Sequence, residues 1–522
     1  MILSRTRRRA PRASEPRRCA AHSPTVSTPA TEHPGLLSGL STQRALVLLT
    51  LLLALVAGWR LAAIAAYDHG LFVDEAQYID WAREPAFGYY SKPPVLAWTI
   101  AAVTGLCGEA PLCVRGGAVL MYSAAAVFLF LAGLRLFDAR VGLAGALLYF
   151  LSPGLALTSL FITTDAPLAL FTCASLLFAA RALQGHGWLD WTALGVCFGL
   201  GLMSKYSFAL FIGGFLFYLL ITRERRRLLV GARLWLALGV AGLLFAPNLI
   251  WNAQHSFATF THTAEISGLE QPTFSIAKLG EFAGGQFLVF GPLTFAALLA
   301  LPWLRGTVLQ TEDGRMLGAI ALVPLAAFTA LAFLSRTLLN WAFVALAPAI
   351  LLVAAAWVRG GYRRWMAWSA GVSVLMIVLA THLPTWTRLA GVELKRGQDP
   401  YSRTMGWRTL GQVVSEVWRT QAGTRILAND RWVMAELLYY VQPPPRDALM
   451  WNPGGPVDDH YRLTRDAGKH KGESFLFVTT GDASSLAPYF GATTLVREAP
   501  IRTHKDWTVV YRIYRLDGFK GY

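Results

Sequence analysis

Long apolar runs separated by short polar segments dominate the chain from residue 45 onward. The first run covers about 45–66, and the others lie at about 116–136, 141–161, 166–184, 188–203, 206–222, 232–251, 282–304, 316–334, 340–357 and 365–383. A helix of about 20 apolar residues is long enough to span a bilayer. The pattern therefore predicts an all-α polytopic membrane domain of about eleven transmembrane helices.

The two ends of the chain differ from this pattern. Residues 1–43 are rich in Arg, Pro, Ser and Thr without apolar periodicity, which predicts a disordered basic tail. From 385 to 522 charged residues become frequent, and short β-like runs surround a helical stretch at 432–441. The division predicts a transmembrane domain at 44–384 and a small soluble α/β domain at 385–522.

The composition excludes a disordered protein and argues against a soluble enzyme. Hydrophobic residues make up 54% of the 522 positions and charged residues only 15%, whereas soluble domains contain about 25% charged residues. The net charge of +16 comes from 47 basic and 31 acidic residues. Much of the basic charge lies between apolar runs, so it does not indicate a nucleic-acid partner.

The charges of the connecting segments alternate along the chain. One set carries arginines such as Arg135, Arg181 and Arg226, and the other carries acids such as Asp74 and Asp165. The positive-inside rule places the basic set and the N-terminus in the cytoplasm. Eleven spans then leave the C-terminal domain on the external face.

The first external segment, 67–115, contains the acidic pair Asp74-Glu75 at the start of a stretch rich in Trp and Tyr. Such a stretch predicts helices that lie in the membrane interface. The acidic pair is a candidate for a functional role, although soluble loops often carry such a pair. Asp165 likewise has two interpretations, a helix N-cap before Pro167 or a functional acid at membrane depth.

Basic residues on the external face are exceptions to the positive-inside bias. Four are predicted at one level of that face: Lys92, Arg115, Lys205 and Arg336. Cations beside carboxylates suit an anionic ligand such as a phosphate next to a general base. The alternative is that each cation snorkels at the end of a span.

Two further pairs in the external segments have candidate roles. His255 and His262 are spaced to approach one metal ion, although loop histidines are more often not ligands. Cys107 and Cys113 are six positions apart. If this face is oxidising, they form a disulfide that closes a short loop before Arg115.

Several short motifs follow one another on this predicted face. They are Asp74-Glu75, Tyr90-Ser91-Lys92-Pro93-Pro94, Arg115, Thr164-Asp165-Ala166-Pro167, Ser204-Lys205 and Trp251-Asn252-Ala253-Gln254-His255. In this order they resemble the integral-membrane glycosyltransferases that use polyprenyl-phosphate sugars, the GT-C superfamily of protein O-mannosyltransferases and lipid A aminoarabinose transferases. Within it, the chain is most similar to rhizobial-type galacturonosyltransferases of lipopolysaccharide. The resemblance covers about 45–385, and the C-terminal domain more weakly.

The resemblance implies a role for each matching residue. Asp74 is the catalytic carboxylate, Glu75 supports it, and Asp165 is a second acid in the same cavity. Lys92, Arg115 and Lys205 hold the donor phosphate, with Arg336 and Trp341 near the donor. Tyr90, Ser91 and His255 line the substrate cavity. The aminoarabinose transferases have Glu where this chain has Ser91, which weakens the expectation of a divalent metal.

The implied reaction is the inverting transfer of one sugar from polyprenyl phosphate to a lipopolysaccharide, lipid A or other envelope glycan or protein. It takes place at the periplasmic face of the bacterial inner membrane, where the lipid tail of the donor and a polar acceptor meet. The main alternative is a transporter or flippase, which typically shows repeated halves and charges at mid-membrane. We find no repeat in the sequence, and the acids gather at one face. A catalytically dead relative is a third possibility.

Overall fold

The computed structural model describes residues 40–66, 70–185, 187–303 and 308–522. The predicted tail, 1–43, lies outside these residues apart from its last few positions. Ser41–Tyr522 pack as one compact unit. The change in composition near residue 385 is therefore not a break in packing.

Within the described residues, the elements as far as Leu389 are helices. In order they are α1 Thr42–Ala66, α2 Val73–Arg83, α3 Val95–Cys107, α4 Pro111–Leu136, α5 Ala139–Phe150, α6 Pro153–Thr158, α7 Asp165–Gly185, α8 Trp188–Ser204, α9 Ala209–Ile221, α10 Ala232–Gln254, α11 Ala258–Ser267, α12 Ile276–Phe290, α13 Pro292–Ala300, α14 Glu312–Leu334, α15 Leu346–Arg359, α16 Arg363–Thr381 and α17 Leu383–Leu389. A 3₁₀ segment, Leu339–Ala345, precedes α15.

The number of spans is lower than the predicted count. Among the described residues, seven helices are long and apolar enough to cross a bilayer, or up to nine if each of two bent pairs counts as one span. Every predicted apolar run is helical, but α8 is too short to be counted and 141–161 divides into α5 and α6. The prediction of about eleven spans is therefore not confirmed, while the mostly helical membrane domain is.

Proline and glycine account for the interruptions. Pro153 is the first residue of α6 and Pro292 the first of α13, where a missing N–H costs nothing. Between α12 and α13 the chain bends by 113°. Gly291 occupies the bend with φ of 91°, a conformation that glycine adopts without steric cost. Hydropathy alone does not reveal such bends because both arms are apolar.

The helices form a buried centre and an exposed rim. In the most apolar window of Leu339–Arg359, 89% of residues are buried, against 22% in that of Arg363–Thr381. Large apolar side chains such as Leu51 and Leu243 are exposed on the rim. Exposed apolar surface of this extent marks contact with lipid. The chain is a multi-pass membrane protein.

Two short helices, α2 and α3, occupy the first external segment, as the aromatic-rich pattern predicted. Glu75 fixes the start of α2 because its Oε2 accepts a hydrogen bond from the Phe72 backbone N–H at 3.0 Å. The segment ends earlier than the predicted 115, since Pro111 opens α4. A Cys107–Cys113 disulfide joins the end of α3 to the first turn of α4.

The C-terminal part is the predicted small α/β domain. Its elements are α18 Trp407–Thr420, β1 Thr424–Ala428, α19 Arg431–Tyr440, β2 Leu449–Met450, α20 His460–Thr464, β3 Ser474–Thr479, β4 Ala492–His504 and β5 Trp507–Asp517. The strand order is β2-β1-β3-β5-β4. β1 pairs in parallel with β2 and β3, while β5 runs antiparallel to β3 and β4.

The sheet domain is fastened to the first external segment by polar contacts. The Tyr440 hydroxyl accepts a hydrogen bond from the Leu71 N–H at 2.7 Å. The Tyr439 hydroxyl donates to the Glu109 carbonyl oxygen at 2.9 Å. Arg465 pairs with Asp80 at 3.3 Å. These contacts bring α19 and α20 against α2, the helix that carries the acidic pair.

Candidate active site

Asp74 is the second residue of α2, and its side chain is 40% exposed. Arg431 is the first residue of α19, and its Nη1 donates to Asp74 Oδ1 at 3.0 Å. The same nitrogen donates to Gln77 Oε1 at 2.7 Å. Asp74 and Gln77 share one face of α2 because they are three positions apart. The accessible carboxylate is thus oriented by an arginine of the sheet domain.

Glu75 points away from Asp74 into the protein and is only 1% exposed. Arg115 binds it in a bidentate way, with Nε to Oε1 at 3.0 Å and Nη2 to Oε2 at 2.7 Å. The Ile162 N–H donates to Oε1 at 3.0 Å. Arg115 Nη2 also donates to the Gly70 carbonyl oxygen at 2.9 Å. Glu75 and Arg115 therefore tie α2 to α4 and to the segment before α7.

This pairing changes the interpretation of Arg115, which the resemblance assigns to the donor phosphate. Its side chain is 3% exposed and is already engaged by a carboxylate and a carbonyl. A buried, doubly bonded guanidinium positions other groups and is poorly placed to receive a ligand. The expected role of Glu75 as a support for Asp74 agrees with its place at the base of α2.

Asp165 begins α7 and is 1% exposed. Its Oδ1 accepts a hydrogen bond from Lys205 Nζ at 2.7 Å, and its Oδ2 accepts one from Asn340 Nδ2 at 2.7 Å. Three separate segments therefore converge on this carboxylate. The N-cap interpretation is wrong, because both carboxylate oxygens bind side chains and, within the described residues, neither accepts a backbone N–H of the first turn of α7. The functional interpretation stays a prediction.

Lys92 lies among these charges. Burial lowers the pKa of Lys92, and the nearby ammonium of Lys205 lowers it further, while Asp74 and Asp165 act in the opposite direction. Within the described part of the chain, its ammonium has neither a hydrogen-bond partner nor a salt bridge. An anion that binds beside such a desolvated, unpaired cation stabilises its charge.

His262, on α11, belongs to the same group of charges. Burial, aided by the positive charges of Lys92 and Arg431, lowers the pKa of His262 to about 4, against the effect of Asp74. Its ring lies 5.2 Å from that of Tyr90, centre to centre. The imidazole is therefore neutral at pH 7, and Tyr90 is fixed beside Lys92.

The pKa of His262 predicts how stability changes with pH. An unfolded histidine has a pKa of about 6.5, so between about pH 6.5 and 4 the unfolded chain binds a proton that folded His262 does not. Acidification through this window should lower the melting temperature of the detergent-solubilised protein. In a thermal shift series, the melting temperature of a His262→Gln variant should fall less over this pH range than that of the wild type. An equal fall in both proteins would contradict the prediction.

The two histidines do not form a metal site. The His255 ring stacks on Trp251 at 4.1 Å, and its Nδ1 is 2.8 Å from the Trp251 carbonyl oxygen. Among the described residues, no group of three or more His, Cys, Asp or Glu is arranged to hold a metal ion. The described residues therefore do not provide the ligand set of a divalent metal ion.

The remaining candidates lie on two segments near this site. Ser91 is half-buried next to Lys92. Trp341 is half-buried with its ring 6.1 Å from that of Phe328. Arg336 is exposed and, in the described ranges, forms no salt bridge. It is four positions before Asn340, the residue that reaches Asp165, so this segment borders the site.

Sequence reasoning missed Arg431 and Asn340. Asp430 accepts hydrogen bonds from the Trp432 and Val433 N–H groups at 2.8 and 3.0 Å, which makes it the N-cap of α19. An Asp before an apolar stretch signals such a helix start. No local signal shows that the following arginine reaches a carboxylate 357 positions earlier.

Comparison with known proteins identifies the class. Residues 91–251 match the family described as dolichyl-phosphate-mannose-protein mannosyltransferase. The chain has the fold of ArnT from Cupriavidus metallidurans, solved with undecaprenyl phosphate, at a TM-score of 0.59 and 16% identity over 90% of this chain and 97% of that one. This likeness shows the fold, and the family match indicates the class of membrane glycosyltransferases for that part of the chain.

Two curated relatives narrow the class. The chain is 30% identical to the lipid A galacturonosyltransferase RgtD of Rhizobium johnstonii over 437 residues, which is 81% of this chain and 89% of that one. It is 27% identical to the lipopolysaccharide core galacturonosyltransferase RgtA of the same organism, over 44% and 46% of the two chains. The chain belongs to the GT-C family of polyprenyl-phosphate-sugar glycosyltransferases that includes these rhizobial enzymes. The resemblance and the expected enzyme class are confirmed, which displaces the transporter and flippase alternative.

Proposed function

We propose that the chain transfers a single sugar from a polyprenyl-phosphate donor to lipid A or another part of lipopolysaccharide. The observation that carries the proposal is the accessible carboxylate of Asp74 near the unpartnered ammonium of Lys92. A base and an anion-binding cation at one place are what a reaction with a phosphate leaving group requires. The names of the rhizobial relatives favour lipid A or the core as the acceptor.

The proposed mechanism is a single displacement. An acceptor hydroxyl attacks the anomeric carbon, Asp74 takes its proton, and the bond from that carbon to the phosphate oxygen breaks. Lys92 and Lys205 stabilise the charge that develops on the departing polyprenyl phosphate. Attack from the side opposite the leaving group inverts the anomeric configuration.

The other residues receive supporting roles in this proposal. Asn340 donates a hydrogen bond to Asp165, and Asp165 holds Lys205 in place. Arg115 fixes Glu75 and hence the start of α2, which replaces its expected contact with phosphate. The donor sugar is galacturonic acid, as the names of the relatives favour, or a neutral hexose.

The location follows from the distribution of charge. The basic connecting segments, which include Arg135, Arg181 and Arg226, favour a cytoplasmic position for that face. Asp74 and the sheet domain then lie in the periplasm, with the N-terminus in the cytoplasm. The disulfide between Cys107 and Cys113 supports this placement, because disulfides persist in oxidising compartments.

Mass spectrometry of envelope lipids from a deletion strain tests the function. We expect lipid A or core molecules to lose the mass of one sugar and to regain it when the wild-type gene is returned. The mass lost identifies the sugar class. Unchanged lipopolysaccharide, together with a change in another envelope glycan, would refute the proposed acceptor, and no change in any glycan would refute the function.

Arg431 gives a sharper test of the site. The Arg431→Ala variant removes the hydrogen bonds that orient Asp74 and Gln77, and such a misplacement costs about 10²-fold in rate. We expect kcat to fall with little change in the KM of the donor, and Arg431→Lys to restore part of the rate. Arg497→Ala, which removes an exposed pair with Glu416 on the same domain, is the control. Equal rates in the Arg431→Ala and control variants would contradict the role.

A further inference from the structure

A cavity of about 220 Å³ lies where the first external segment, the end of α10 and the sheet domain meet. Asp80 and Trp81 of α2 line one side, and His460 and Arg465 line the opposite side. Lys92 does not line this cavity, although α2 contributes to both places. Asp80 lies six positions after Asp74, or about 9 Å further along the helix axis.

Aromatic rings form much of the wall. Trp81 and Tyr89 stack at 4.5 Å with an interplanar angle of 5°. The ring of His460 meets their edges at 5.2 and 5.6 Å. His255, which stacks on Trp251, completes this wall. Rings that are held by one another in this way provide rigid apolar surfaces for a ligand.

Polar atoms without partners accompany the rings. Trp81 is 2% exposed, and within the described residues neither its Nε1–H nor Nδ1 of His460 has a hydrogen-bond partner. Burial and the charge of Arg465 lower the pKa of His460 to about 3, so its ring is neutral at pH 7. A buried donor without a partner is costly. Both atoms are covered in the structure, and a ligand group that reached them and formed a hydrogen bond would remove this cost.

The charges of the wall limit the kind of ligand. Asp80 and Arg465 neutralise each other at 3.3 Å, and Glu84 adds a negative charge. The wall therefore has no net positive charge to attract a phosphate, and it is too polar for a lipid tail. Rigid rings combined with both donors and acceptors of hydrogen bonds suit the faces and hydroxyls of a sugar.

We propose that this cavity binds one sugar ring of the acceptor glycan. The inference rests on the proposed function, because it assumes that the acceptor is a glycan. The acceptor is favoured over the donor since neither Lys92 nor Lys205 lines the cavity, and the sheet domain builds part of it. An acceptor held here by one ring presents a neighbouring part of the glycan to Asp74.

Filling the cavity tests the proposal. Thr464 is exposed and lines the cavity, so Thr464→Trp should place an indole in it without disturbing the core. With purified full-length protein, a polyprenyl-phosphate sugar and acceptor glycolipid from the deletion strain, we expect the KM of the acceptor to rise about ten-fold. The KM of the donor should stay constant, and Thr464→Ser is the matched control.

A second variant and a binding assay make the outcome decisive. His460→Phe keeps a ring against Trp81 and Tyr89 but removes the polar nitrogen, so it should also raise the KM of the acceptor. An unchanged acceptor KM in both variants, or a rise in the donor KM instead, would overturn the proposal. Calorimetry with the delipidated acceptor saccharide distinguishes failure of the cavity proposal from failure of the proposed function. Weaker binding to Thr464→Trp than to wild type supports the cavity even if no transfer occurs, and equal binding overturns it.

Discussion

Replacing Asp74 with asparagine is expected to lower the turnover of the purified enzyme by about 10²–10⁴-fold, the usual contribution of a general base. The amide keeps the shape of the carboxylate, and its oxygen still accepts a hydrogen bond from Arg431. It cannot take the proton of the acceptor hydroxyl. The fold and donor binding should therefore be retained. Single-turnover kinetics will measure the chemical step, and a donor-binding assay will measure the affinity for the donor.

The control for this substitution is Asp190→Asn. Asp190 pairs with Arg181 at 2.7 Å, and both lie on the side of the membrane domain where basic connecting segments occur. Its substitution should leave turnover within about two-fold of wild type, since exposed pairs contribute little. If Asp74→Asn restored the glycan of a deletion strain as well as the control did, Asp74 would not be the base.

Replacing Arg115 with alanine is expected to lower the yield of folded protein severely. The substitution leaves Glu75, 1% exposed, without its bidentate partner. Removing one member of a buried ion pair costs about 3–5 kcal/mol, a large part of the stability of most domains. The melting temperature and the monodisperse fraction in detergent should both fall, whereas a residue that only binds the donor phosphate would leave them unchanged.

A double substitution separates the two roles of Arg115. Glu75→Gln with Arg115→Met removes both charges and keeps similar volumes, so the fold should largely recover. Arg181→Ala, which breaks an exposed pair, is the control and should change stability by less than about 1 kcal/mol. If Arg115→Ala folded normally and only weakened donor binding, the assignment to phosphate would stand and the positioning role would be wrong.

The difference between Arg115 and Lys92 shows where sequence reasoning ends. Both are basic residues at the predicted external level, and the motifs treat them alike. In the structure Arg115 is paired with Glu75, while the ammonium of Lys92 has no partner among the described residues. Burial and pairing depend on which helices meet, and the local sequence does not contain that information.

The span count has a similar explanation. Hydropathy identified every apolar run correctly, because burial in lipid or in protein requires the same residue types. It does not distinguish a straight span from a helix that bends at Gly291 or breaks before Pro153. Tertiary packing stabilises those interruptions, since neighbouring helices satisfy or cover the backbone at each break.

Composition, periodicity and the order of short motifs were enough to predict the membrane class, the α/β character of the C-terminal domain and the glycosyltransferase family, because all three are local features of the chain. The contact by which Arg431 orients Asp74, and the sharing of Asp165 by Asn340 and Lys205, became visible only in the folded protein. Such contacts join side chains far apart in the chain, and they form only where packing brings their backbones within hydrogen-bond reach.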